Sequence, residues 1–359
     1  LLILACILIA GLWPFNPHPK NRVHWLPDEA GLSFSGKGFV RSSVPFSLSP
    51  QNPNAATGTF ELWLRPTWWN VSTVVSEFYR GKSDRLVLRQ YHDDLVVQHW
   101  LKVDNRRSYE KIEAPGSFDP ERPTLITIVC EAGDVEIYVD AQLRTTAKHK
   151  MLNASSFSGD FSLGSSETEN ESWGGTVYGI AGFDRALNPE ETQRDLFFWE
   201  SGDRTAHQVL GPTLLYIFDG RKGNVIPNLA AADHDLVIPA HFKIVHRPFL
   251  EPPWHDFEVT RSTVKDATIN IFGFIPFGFA FCAYFSFAKV KRHPLRDTVL
   301  LGTALTFIIE ITQYWIPTRD SSLTDVINNV IGTIVGVILF KITAPHIVQL
   351  VSRAFKRLG

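Results

Sequence analysis

Three apolar stretches near the C-terminus narrow most sharply what this chain can become. TINIFGFIPFGFAFCAYFSFA (268–288) carries no charge. TVLLGTALTFIIEITQYWI (298–316) carries one, Glu310, and LTDVINNVIGTIVGVILFKITA (323–344) is apolar over most of its length. Each is long enough to cross a hydrocarbon core about 30 Å thick. Lipid offers the backbone no hydrogen-bond partner, so such crossings are helical. The N-terminal LLILACILIAGLW is also apolar, but its 13 residues fall short of the roughly 20 that a crossing needs. It reads as the end of a helix that starts upstream of Leu1. WPFNPHP follows it without a small-x-small cleavage pattern, which favours a retained anchor over a signal peptide.

Charge sets the direction of the crossings. The link KVKRHPLR (289–296) and the end SRAFKRLG (352–359) are short and basic, so both are expected on the cytoplasmic side. Two crossings separate them, as that requires. The polar block after the first helix then lies outside, with Trp254 and Trp315 at the outer ends of spans two and three. The expected organisation is a first transmembrane helix over 1–16, an external domain over 27–245, and helices two to four over 246–359 with a cytoplasmic C-terminus. A net charge of −2 over 359 residues gives no hint of a nucleic-acid partner. Cys6, Cys130 and Cys282 are scattered, with no metal-ligand spacing and no disulfide framework. No ATP-binding loop, Rossmann fingerprint or zinc motif occurs, so no cofactor and no metal are expected.

This topology gathers the odd residues at one end of the spans. Asp266 and Asn270 stand at the mouth of span two, Glu310 and Gln313 in the last turns of span three, and Asp325 and Asn329 at the mouth of span four. Arg319 lies in the loop PTRDSS between the last two. Each pair is spaced i,i+3 or i,i+4 and so shares one side of its helix. Gly332 and Gly336 continue the Asn329 side as a small-xxx-small groove, and span two has Gly273 and Gly278 with Pro276 between them. Two readings stand. Asp at a helix start and Asn or Gln between helices can be purely structural. Glu310, two turns inside a span, is harder to explain that way, and Arg319 is its natural partner. Three polar faces turned toward one another would form a ligand pocket open to the outer surface.

Asp266-x-x-x-Asn270, FIPFGF (274–279), Glu310-x-x-Gln313 and Arg319-x-x-x-x-x-Asp325-x-x-x-Asn329-x-x-Gly332-x-x-x-Gly336 together resemble the VanZ-like membrane family. The resemblance covers spans two to four. It implies a helical membrane domain and a link to low-level resistance to the glycopeptide teicoplanin, but no reaction. The chain departs from the compact family pattern by a large insertion after the first span.

The block between is a β-domain by pattern. TFELWLRP (59–66), RLVLRQYH (85–92), DLVVQHWLKV (94–103), TLITIVC (124–130) and DVEIYVDAQL (134–143) read as strands. In the last, Val135, Ile137 and Val139 face one way and Asp134, Glu136, Tyr138 and Asp140 the other. Asn188-Pro189-Glu190-Glu191 marks a helix start. Short strands with turn signals suggest a sandwich or jelly roll. GLSFSGKGFV (31–40), ITIVCEAGDVEIYVDAQL (126–143), FSGDFSLGS (157–165) and WGGTVYGIAGFDRALNPEE (173–191) resemble a LamG or concanavalin A-like jelly roll. The segment 214–239 resembles a piece usually found at the front of that fold and is expected to add strands to the same sandwich. The fold class expected overall is a multi-domain membrane protein: an all-β jelly roll inserted in a four-helix transmembrane VanZ-like bundle.

Relatives of such jelly rolls bind glycans or proteins, and some hydrolyse polysaccharides. The hydrolase branch needs Glu-x-Asp-x-x-Glu on a strand. Tyr138 stands where that Asp belongs, which argues against glycosidase chemistry. Trp68, Trp69, Trp100 and Trp173 are candidates for sugar stacking or for packing. The first functional reading is a bacterial inner-membrane protein with an external lectin-like domain. Asp266, Asn270, Glu310, Gln313, Arg319, Asp325 and Asn329 would engage a lipid-linked or glycopeptide-type headgroup. Its partners would be membrane lipids, cell-wall glycan, glycolipid or an envelope protein. The alternative is a membrane-embedded enzyme on a glycolipid or cell-wall precursor, with Glu310 as acid or base and Arg319 holding an anionic group.

Overall fold

The computed structural model describes residues 2–49, 51–52, 54–67, 70–103, 106–202, 207–219, 223–231, 233–252, 261–288 and 293–358, with side chains at 70–71, 106–107, 261–263 and 347–358 left aside. Trp68, Trp69, Trp254 and the basic stretch 289–292 lie outside the described residues. The chain divides into two compact units. One is Lys20–Val245; the other joins Leu1–Pro19 to His246–Gly359.

The Lys20–Val245 unit is a β-sandwich. Among the described residues it has an eight-stranded and a nine-stranded sheet, every pairing antiparallel. The eight-stranded sheet is centred on Gly58–Pro66, paired with Thr124–Glu131 on one side and Gly174–Phe183 on the other. The nine-stranded sheet ends in Asn70–Gly81, Asp84–His92, Asp94–Val103 and Arg106–Ala114. Period-2 alternation sends one set of side chains from each sheet into a shared core. Phe46, Phe60, Phe78, Phe157 and Phe161 pack there with ring centroids 4.8–6.5 Å apart.

The alternation read for 134–139 holds, since Val135, Ile137 and Val139 are buried in that core. The stretch 134–143 is nevertheless two strands, Asp134–Val139 and Gln142–Ala147. Asp140 and Ala141 both take positive φ and turn the chain back on itself. Leu214–Ile217 joins the eight-stranded sheet, and Val225–Ile226 and Leu236–Val237 join the other, so the 214–239 segment does extend the sandwich. The unit's two ends meet. Lys20 bridges His241, and the Asn21 amide donates to Pro239 O at 2.8 Å.

The other unit is helical: α1 (Leu2–Leu12), α3 (Arg261–Phe287), α4 (Pro294–Tyr314) and α5 (Leu323–Leu358), with α2 (Pro189–Ser201) belonging to the sandwich. At the start of α2 the Asn188 side chain accepts from Glu191 N, and the Glu191 carboxylate accepts from Asn188 N. α3 runs unbroken through Pro276. α3 and α5 approach backbone to backbone. A Cβ at Gly332 would lie 2.2 Å from Ile271 O, and one at Gly278 would lie 2.1 Å from Thr333 O. Gly273 meets nothing within 4 Å and is no part of this groove. α1 lays Ile3, Leu4, Ile7, Leu8 and Leu12 against Phe274, Phe277, Leu305 and Ile309 of α3 and α4. Among the described residues two helical segments, Val264–Phe287 and Leu323–His346, are long and apolar enough to cross a membrane. The α4 segment, expected as a span, is not one of them, because Asp297, Glu310, Thr312 and Gln313 lower its apolar content.

Candidate functional site

The polar side chains of the helical unit gather at one end, where α1 and α4 finish and α3 and α5 begin. Asn270 Nδ2 donates to Asp325 Oδ1 at 2.6 Å and ties α3 to α5. Asn329 Nδ2 donates to Thr306 Oγ1 at 2.8 Å and ties α5 to α4. The Glu310 carboxylate is only 1% exposed, and its Oε2 accepts from the backbone N–H of Ser322 at 2.9 Å. Asp266 is exposed on α3, one turn before Asn270.

Two of the expected residues take a different partner. Gln313 Nε2 donates to Gly11 O at 2.7 Å, and Arg319 Nη2 donates to Ala10 O at 2.9 Å. Both satisfy carbonyls in the last turn of α1, which a helix cannot bond internally, and the cation also suits the negative end of the dipole. No ion pair joins Arg319 to Glu310, contrary to the expectation from sequence.

Arg247 is a residue the sequence reading missed. Its side chain is 7% exposed, and Nη1 donates to Ile316 O at 2.7 Å. Nη2 lies 3.8 Å from Asp320 Oδ1. The segment that follows is pinned to the same loop, because Glu251 N donates to Ser321 O and Leu323 N to Glu251 O. A single Arg in VHRPFLEPP shows no periodicity, so nothing local marked it. Several buried polar atoms at this end have no hydrogen-bond partner. They include Arg247 Nε and Nη2, Gln313 Oε1, Arg319 Nε, Ser321 Oγ, Asn328 Nδ2 and Asn329 Oδ1. Such groups are costly unless something bonds them.

The sandwich offers a second surface. On the nine-stranded sheet Leu86, Leu88, Leu95, Val97 and Ile112 face the core, so their alternates face away from it. The register sets Arg85 beside Trp100 and Trp100 beside Tyr109, and in the next row Gln98 beside Lys111. The 165–172 loop folds over the Arg85 and Arg89 column. Arg85 donates to Thr168 at 2.5 Å and to Glu169 at 3.1 Å, and Arg89 pairs with Glu171. The loop is anchored from below by Glu77, whose carboxylate accepts from Ser166 Oγ and Glu167 N. Burial pushes the Glu77 carboxyl up, against the pull of Arg85, and pushes Glu167 up to about 8.

Trp100 is half-buried here, under the Arg85 guanidinium at 4.2 Å. Trp173 is a core residue with no exposure; its indole N–H donates to Gln90 at 2.7 Å, so it offers no sugar platform. No group of three His, Cys, Asp or Glu side chains among the described residues is arranged to hold a metal ion.

Comparison with known proteins agrees with this division. Residues 41–193 match the concanavalin A-like lectin/glucanases superfamily, and residues 217–344 match the VanZ/LLP1 family. The β match therefore precedes the VanZ match, whose first residues lie in the sandwich unit. No curated protein matches the chain. Among solved structures, it is similar to the CBM40 domain of the Ruminococcus gnavus IT-sialidase bound to α2,3-sialyllactose. Identity there is 12%, covering 46% of this chain and 95% of that one, with a TM-score of 0.35. A Bacteroides ovatus protein described as carbohydrate-binding is 15% identical over 60% of this chain and 61% of its own, with a TM-score of 0.39. The receptor-binding domain of botulinum neurotoxin C/D mosaic serotype is 10% identical over 51% of this chain and 45% of its own, with a TM-score of 0.38. The chain thus carries one stretch similar to concanavalin A-like lectins and one similar to the VanZ/LLP1 family, with two helical segments among the described residues long and apolar enough to cross a membrane.

Proposed function

We propose that this protein is a non-enzymatic component of the bacterial cytoplasmic membrane. Its helical unit engages the polar headgroup of a lipid-linked molecule, and its sandwich binds glycan on the outer side. In this reading α1, α3, α4 and α5 form a four-pass bundle with both termini inside. The polar end of the helices then lies in the outer leaflet, where cell-wall precursors and glycopeptides such as teicoplanin are met.

One observation carries the headgroup reading. At one end of the helices, buried donors and acceptors on Arg247, Gln313, Arg319, Ser321 and Asn329 stand without partners. A headgroup rich in hydroxyl, amide or phosphate oxygen would supply them. The test uses the full chain in nanodiscs, with retention of an added polyprenyl-diphosphate disaccharide read by native mass spectrometry. Asn329→Ala and Arg247→Ala should each lower retention by about tenfold, the equivalent of 1.4 kcal/mol. Unchanged retention in both variants would overturn the headgroup reading.

Glu310 supports a second reading, in which the unit is an enzyme on such a precursor. Its carboxylate is buried, accepts one backbone hydrogen bond and has no ion pair with Arg319, the setting of an acid or base rather than of a salt bridge. Incubating the precursor with wild type and Glu310→Gln separates the two. Product formed only by wild type favours the enzyme; binding without turnover by both favours the first reading.

A further inference from the structure

The outward face of the nine-stranded sheet divides into a closed part and an open part. The 165–172 loop closes over Arg85 and Arg89. The neighbouring strands, Asp94–Val103 and Arg106–Ala114, are left open, with Tyr109 47% exposed beside Trp100. The two rings sit at 5.0 Å between centroids and 45° between planes, an angled aromatic corner.

The corner is held in place. Gln98 Nε2 donates to the Tyr109 hydroxyl oxygen at 3.0 Å, and Gln98 Oε1 accepts from Arg89 Nε at 3.2 Å. Arg89 is fixed in turn by Ser72 and Glu171. A relay from Glu171 to Tyr109 thus orients a phenol whose own proton remains available to donate. A rigid aromatic surface with a fixed hydroxyl and amide beside it is what a pyranose requires. The sugar's C–H face packs on the ring while its hydroxyls meet the polar groups.

The charged side chains nearest the corner are engaged: Arg85 meets Glu77 and Glu169, Arg89 meets Glu169 and Glu171, and Lys111 meets Glu113, while Lys102 stands exposed one row beyond Trp100.

We infer that Tyr109 and Trp100, with Gln98, form a binding site for a pyranose glycan on the outward face of the sandwich. The inference rests on the glycan-binding half of the proposed function and adds to it a place.

The test is a glycan array probed with the full chain in labelled nanodiscs. It carries neutral oligosaccharides of glucose, galactose, mannose and N-acetylhexosamine beside sialylated and uronic-acid glycans. At least one of these glycans should bind. Tyr109→Ala should weaken that binding about tenfold while the unfolding temperature of the sandwich stays at the wild-type value. Tyr109→Phe, which keeps the ring and removes the hydroxyl, should weaken it about threefold. Binding of a glycan that Tyr109→Ala leaves intact overturns this site but not the wider reading. Silence across the array overturns both the inference and the glycan half of the proposed function.

Discussion

Each unit buries polar side chains, and one cluster in each is partnered in the opposite way to the other. In the sandwich, Glu61, Thr127, Asp195, Trp199 and His207 form a network packed between the eight-stranded sheet and α2. Thr127 Oγ1 donates to Glu61 at 2.8 Å, Trp199 Nε1 donates to Asp195 at 3.2 Å, and His207 Nδ1 lies 2.9 Å from Asp195 Oδ1. No side-chain atom of this group lacks a partner. Burial and the charge of Asp195 push the Glu61 carboxyl well up. Asp195, although burial opposes its charge, is held low by its bonds to Glu61 and His207. At the polar end of the helices the buried groups are of the same kinds, yet atoms of six residues there, Asn328 among them, have no hydrogen-bond partner. A saturated network has no capacity left for a ligand and serves the fold. The unsaturated cluster is the one that the proposed headgroup would complete.

The largest effect that would sharpen this contrast is expected in the sandwich. Asp195→Ala leaves His207 and Trp199 unpaired in the interior and should destabilise the sandwich by about 3–5 kcal/mol, as loss of one partner of a buried pair does. Thermal unfolding of the full chain in detergent measures it. A change below about 1 kcal/mol would place the network outside the structural frame.

Next in size is the helix contact. Gly332→Val sets a side chain against the Ile271 carbonyl and should cost the helical unit about 1–3 kcal/mol by overpacking. The unfolding transition of the helices should move while that of the sandwich stays in place. An unmoved transition would mean that the α3–α5 groove is not tight.

The third expectation concerns pH. Burial raises Glu77, Glu167 and Glu171 above the ordinary carboxylate range, Glu167 to about 8. The folded state therefore holds protons that the unfolded chain releases above about pH 4.5. Stability from these groups is fully present below that pH and declines as pH rises toward 8. Asp195 works in the opposite sense below this window, and His99, which burial holds low, offsets part of the trend as pH rises through about 6.5. The sandwich should melt higher at pH 5.5 than at pH 8, by at most about 1.4 kcal/mol per pH unit for each group. Glu167→Gln should flatten that slope; an unchanged slope would remove Glu167 as its source.

Smallest of all should be the effect of Glu310→Gln on helix stability, within about 1 kcal/mol, since Gln can still accept from Ser322 N. A loss as large as that of Asp195→Ala would erase the contrast between the two units.

Much of this was written in local sequence. Strands at 58–66, 84–92, 94–103 and 124–131 follow from alternation, and the start of α2 from Asn188 and Pro189. The i,i+4 spacing put Asn270 and Asp325 on facing sides, and they do bond. What escaped depends on partners far along the chain. Arg319 and Gln313 bond carbonyls about 300 residues away, at Ala10 and Gly11. Arg247 is defined by a loop it meets only in three dimensions, and Trp173 by Gln90 beneath it. The hairpin within 134–147 was hidden because Asp140 and Ala141 look like strand residues until their φ is known.

The most direct measurement is a cryo-electron microscopy map of the full chain in nanodiscs of bacterial lipid supplied with the polyprenyl-linked disaccharide. The account predicts non-protein density within hydrogen-bond distance of Arg247, Ser321 and Asn329, with the Glu310 carboxylate turned inward. Those side chains bonded only to one another or to water, with Glu310 facing acyl chains, would contradict it.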